Sequence, residues 1–139
     1  MKVKCVLNKL SDIPAQIYSG LEGWIADYEL PIEIGQLSTV YAMKILKNHL
    51  WYLVEVEGLA DPRYYPAYLF EIVDKRISRY WIVNDDIDED DGNMKTVSFG
   101  FKELLEDPFF YGELLEDNPK QEEIFARYKR LMDDEYYEV

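Results

Sequence analysis

The sequence predicts an α+β fold, an antiparallel β body followed by C-terminal helices. Three observations carry this. Residues 35–84 are crowded with aromatic and branched apolar residues, and turn signals divide them into strand-length runs. Residues 50–57 alternate with a period of two. Helix-start signals and helical apolar spacing follow residue 101. The chain has 139 residues, the size of one domain. Residues 1–101 are expected to form a mainly β body and 102–135 a helical addition. A hydrophobic fraction of 48% suffices for a core, and an aromatic fraction of 15%, with 12 Tyr, suits pleated surfaces.

Taken in order, residues 2–7 place Lys2 and Lys4 opposite Val3 and Cys5, the pattern of an edge strand with its lysines toward water. Residues 8–34 are punctuated by Pro14, Gly20, Gly23 and Pro31 and are expected to be irregular, with Trp24, Ile25 and Tyr28 covering one side of the β unit. Residues 38–46 read as a strand, and Lys47-Asn48-His49 as a tight turn, because Asn tolerates positive φ. In residues 50–57, Leu50, Tyr52, Val54 and Val56 form one apolar face, with Glu55 and Glu57 on the other beside Trp51 and Leu53. Residues 58–66 read as a loop holding Tyr64 and Tyr65. Residues 68–73 and 77–83 read as paired strands joined by Asp74-Lys75-Arg76, and 96–101 as a last strand. A short helix is expected at 102–106. Asp107-Pro108 and Asn118-Pro119 each supply a cap followed by proline in the first turn. The last helix should run to about residue 133 on a stripe of Ile124, Phe125, Tyr128, Leu131 and Met132, with a frayed acidic tail beyond it.

Within residues 35–83, Trp51-Tyr52 opens a central strand, a loop follows, and Pro66 leads into the aromatic run Tyr68-Leu69-Phe70. This arrangement resembles the middle of an SH3-like barrel. The resemblance implies a small closed antiparallel barrel. It does not imply binding of proline-rich peptides, because the acidic ligand loop of that family has no counterpart and the tyrosine spacing after Pro66 departs from it.

Charge divides the chain. Residues 1–84 hold ten acidic and nine basic side chains, whereas residues 85–139 hold eighteen and six, so nearly all of the net −13 lies in the last part. Such a field repels phosphate backbones and anionic membrane surfaces, and it attracts basic proteins. Neither nucleic acid nor membrane is therefore an expected partner. The N-terminus lacks the apolar core of a signal peptide, and no run is long enough to span a bilayer, so a cytoplasmic protein is expected.

Motifs for chemistry are sparse. His49 and Cys5 are the single histidine and cysteine, too few for the common zinc sites or a disulfide. No nucleophile elbow, P-loop or dinucleotide fingerprint occurs. A calcium loop starting at Asp86 would place Asp91 where glycine is required and Val97 where a bidentate glutamate is required. Carboxylate pairs are too common in this composition to mark an acid–base site. No catalytic residue, cofactor or metal is therefore expected. What remains is surface: the carboxylates of Asp85, Asp86, Asp88, Glu89, Asp90 and Asp91, and the tyrosines Tyr64, Tyr65, Tyr136 and Tyr137 in expected loop or tail. An acidic, aromatic surface without catalytic groups resembles in type the bacterial immunity proteins. That resemblance implies neutralisation of a cognate basic toxin such as a nuclease. Two competitors are an SH3-like regulatory or adaptor module with a groove of Tyr64, Tyr65 and Trp81, and a carboxylate-dependent enzyme. The oligomeric state is left open.

Overall fold

The structure, a computed structural model, describes residues 1–14, 29–46, 48–88, 92 and 94–137. Trp24, Ile25 and Tyr28, expected to cover one side of the β unit, lie outside them, as do Gly20, Gly23, Glu89, Asp90 and Asp91.

Among the described residues, eight strands form two antiparallel sheets. The first is three-stranded, in the order β2 (Leu37–Thr39), β1 (Lys2–Cys5), β6 (Phe70–Asp74). The second is five-stranded, in the order β5 (Arg63–Pro66), β4 (His49–Val54), β3 (Ala42–Leu46), β8 (Met94–Gly100), β7 (Ile82–Asp88). Helices α1 (Lys102–Glu106), α2 (Phe110–Leu115) and α3 (Pro119–Glu135) follow. The fold is thus α+β. The sheets stay open, so the closed barrel implied by the SH3-like resemblance is not formed among the described residues.

The layers follow from which faces are apolar. Between the two sheets lies a core containing Val3, Cys5, Val40, Tyr52, Val54, Tyr65 and Leu69. On the opposite face of the five-stranded sheet, Ala42 and Leu53 meet Phe101, Phe110, Leu114, Phe125 and Met132 in a second core. Phe101 joins sheet to helices, stacking on Tyr128 at 4.5 Å and meeting Phe110 edge-on at 5.5 Å. Gly100 makes the junction possible: a Cβ there would stand 2.9 Å from Leu105 and 3.0 Å from Ala42.

Several local expectations hold. Asn48 takes a left-handed φ of 63° in the β3–β4 turn, where Leu46 pairs with His49. Asn118 caps α3 by accepting from the Lys120 amide, ahead of Pro119. Asp107 does not cap α2 as expected: its carboxylate accepts from the Phe109 amide in the turn before the helix, which starts at Phe110 with no side-chain cap.

Others need correction. β1 is the middle strand of its sheet, not an edge; Val3 and Cys5 are fully buried. Residues 38–46 are two strands, bent at Val40-Tyr41, where the chain passes from one sheet to the other. Residues 63–66 are a strand and not loop. The expected hairpin of 68–73 with 77–83 does not form: β6 pairs with β1, and β7 begins only at Ile82 and pairs with β8. The tail is held rather than frayed as far as the description reaches. Ser78 donates to Glu135 at 2.9 Å, and Arg76 donates to the Tyr136 carbonyl at 2.7 Å.

Candidate partner-binding face

The acidic stretch expected to be a loop is largely β7 itself, whose pairing with β8 runs from Ile82–Gly100 to Asp88–Met94. Directly paired residues share a face of a sheet, and neighbours along a strand alternate. One face of this hairpin therefore carries Val83, Asp85 and Ile87 with Val97, Phe99 and Lys95, and it continues through Ile45 and Met43 of β3. Met43 packs against the core between the sheets. Farther out the first sheet no longer covers this face: Val83 is 62% and Ile87 56% exposed, and Ile45 is exposed as well. Among the described residues no strand pairs with the outer edge of β7. Asp85 sits within the apolar group and pairs with Lys95 at 2.7 Å. The Lys95 ammonium, by hydrogen bond and charge, holds the Asp85 carboxyl below the usual carboxylate range.

The opposite face of the same strands carries Lys44, Ser98, Asn84, Thr96 and Asp86. They floor an open cleft of about 790 Å³, walled by Tyr64, Leu105 and Tyr111. Asn84 donates to the Leu105 carbonyl at 3.3 Å, which ties α1 to the edge strand. The Lys44 ammonium lies 4.1 Å from the Tyr64 ring centre, and Tyr64 meets Tyr111 edge-on at 5.2 Å. Burial pushes the Tyr64 phenol well above its ordinary range, with Tyr111 adding to the effect. The cleft offers a lysine, carboxylates and hydroxyls, groups suited to hydrogen bonding and ion pairing.

Of the expected partner-binding residues, Tyr64 and Asp86 come together here, while Asp85 borders the cleft but turns its carboxylate to Lys95 on the opposite face. Tyr64 does so as a wall half-buried under α2, not as a loop anchor. Tyr65 requires correction: it points into the core between the sheets and is buried. Trp81 is half-buried against both cores. Tyr136 and Tyr137 are exposed, Tyr137 by 78%, and pack edge-on at 5.3 Å. Tyr137 lines a different cleft of about 480 Å³, with Tyr41, Glu55 and Asp133, which shares no lining residue with the first. Asp88 contributes its backbone to β7.

Val83, Ile87 and Ile45 were missed by sequence reasoning. Their signal, Val83–Asp85–Ile87 at alternate positions, is present in the sequence, but the competing alternation of residues 77–83 points to a hairpin with 68–73.

Asp85, Glu103, Glu106 and Asp133 pair with Lys95, Arg127, Lys102 and Lys129, all from the same segment. No helix among the described residues is long and apolar enough to cross a membrane. No protein-family model matches the chain, and no curated protein or solved structure is significantly similar to it.

Proposed function

We propose that this chain is a non-catalytic acidic protein that binds a basic protein partner, and that it acts as a cytoplasmic immunity protein neutralising a toxin such as a basic nuclease. The observation that carries this reading is the β7–β8 hairpin. Its exposed Val83, Ile87 and Ile45 surround the Asp85–Lys95 ion pair, with the exposed Asp86 on the opposite face, beside a strand edge that no described strand covers. Apolar side chains supply desolvated contact, carboxylates speed encounter with a cation-rich surface, and a free edge can accept a strand. An SH3-like adaptor would need Tyr65 at the surface of its groove, and Tyr65 is core.

The test uses the product of the neighbouring reading frame, co-expressed and purified, as the partner. Asp85→Asn with Asp86→Asn should slow association by roughly 3–10-fold at low salt, and the difference should shrink as salt rises. Val83→Ser should instead speed dissociation. Tight binding that ignores salt and all three substitutions would refute the reading.

A further inference from the structure

β7 is a seven-residue strand at the end of its sheet. An exposed edge templates further pairing, and proteins ordinarily guard it with proline, bulges, short length or charge. β7 contains no proline, and its register with β8 runs unbroken, without the irregularity that interrupts β1 against β6. Charge alone guards it, and of one sign: every charged residue in the strand is an aspartate.

The backbone shows how the edge is kept in the absence of a neighbour. The Asp85 amide donates to Asn84 Oδ1 at 3.0 Å, and the Ile87 amide donates to Asp86 Oδ1 at 2.8 Å. Amides two residues apart point to the same edge of a strand. Bonds to a preceding side chain mark these two as amides turned away from β8, each satisfied by a local oxygen where a strand's carbonyl would otherwise sit. An arriving strand must displace both oxygens. The displaced Asp86 carboxylate then needs a new partner, and a cation on the arriving strand supplies it.

A second copy of the chain cannot. Two-fold antiparallel pairing centred on Asp85 or on Asp86 sets that aspartate directly opposite itself, where like charges repel. The net charge of −13 opposes the approach as well.

We propose that the β7 edge accepts an extended segment of the basic partner as an added strand, with apolar residues on the face of Val83 and Ile87 and a lysine or arginine facing Asp86. This rests on the reading of the chain as a binder of a basic protein, and it adds the form in which that partner docks.

The probe is a blocked peptide of alternating valine and lysine, matched to the seven residues of β7, with its valine nitrogens methylated so that only one edge can pair. Amide exchange is followed by NMR on the full chain. Saturating peptide should slow exchange at Asp85 and Ile87 by about tenfold or more. Asp86→Asn should weaken peptide binding by roughly 3–10-fold at low salt. Methylating the lysine nitrogens too, with the charges kept, should abolish the protection, as should replacing lysine by glutamate. Unchanged exchange at both amides would overturn the proposal, and so would equal binding of the fully methylated peptide, which would reduce the contact to charge. Protection in the free chain that is lost on dilution would assign the edge to a second copy and overturn it as well. Tight, salt-dependent binding of the neighbouring reading frame's product without protection of these amides would remove this proposal and leave the binder reading standing. Failure of that product to bind, with the peptide still protecting the edge, would remove the reading and leave the strand site.

Discussion

β4 and β7 are strands of one sheet with opposite circumstances. β4 is buried on both faces: Tyr52 and Val54 enter the core between the sheets, and Leu53 enters the core beneath the helices. β7 is exposed at positions 82–87, has one paired neighbour, and carries two aspartates among three apolar residues in that span. Backbone pairing makes both of them strands, while burial is decided by what lies above and below. β4 sits where three layers overlap. β7 is left largely uncovered on both faces, although Asn84 is tied to the Leu105 carbonyl of α1. The comparison separates two duties: β4 supports stability, and β7 is left available for contact.

The largest effect expected from this contrast is at Leu53. Leu53→Ala should cost about 2–5 kcal/mol, because the residue is fully buried between sheet and helices and the helices can only partly close the gap. Urea unfolding should show the loss as a lower midpoint with an unchanged slope. A loss below about 1 kcal/mol would mean that the helices do not press on β4.

A smaller effect is expected at the seam leading from β6 toward β7, where Arg76 grips Asp74 at 2.6 Å and also holds the end of α3. Hydrogen bonds from Arg76, more than charge alone, keep the Asp74 carboxyl well below the usual carboxylate range. A depressed folded pKa stabilises the fold above the unfolded value of about 3.9, and that contribution fades as pH falls through the folded value. Asp74→Asn should therefore lower stability at neutral pH by less than about 1 kcal/mol, since the Arg76 side of the pair is half exposed to solvent. It should also narrow the gap to the parent below about pH 4. A gap that widens in acid would reverse the assigned sign.

The smallest effect belongs to β7. Val83→Ser and Ile87→Ser should each change stability by no more than about 0.5 kcal/mol, as at ordinary surface positions. A cost above about 2 kcal/mol for either would show that the hairpin is covered in solution and would dissolve the contrast with β4.

Much of the scaffold was legible in the sequence. The Asn118-Pro119 start of α3, the span of α1, the Asn48 turn and the apolar even positions of β4 all depend on a residue and its near neighbours. A cap needs one side chain and one amide, and a turn needs one tolerated φ. The long-range choices were not legible. Residues 77–83 and 82–88 both contain strand-compatible alternation, and nothing local decides which of them pairs, or with what. Tyr64-Tyr65 likewise looks like loop beside Pro62 and Pro66. It is a strand because β4 offers a free edge, and pleating then sends Tyr65 into the core and leaves Tyr64 on the opposite face of the sheet.

By itself the sequence determined the class of fold, the helices with their caps, and the concentration of negative charge after residue 84. These follow from local conformational preference and from composition, which need no partner elsewhere in the chain. Tertiary structure alone decided that β7 would end as an open, half-apolar edge and that Tyr65 would enter the core. Both outcomes depend on which distant segments pack together. That is settled by the competition among strands for partners and by the shape of two shared cores, quantities that no stretch of neighbouring residues encodes.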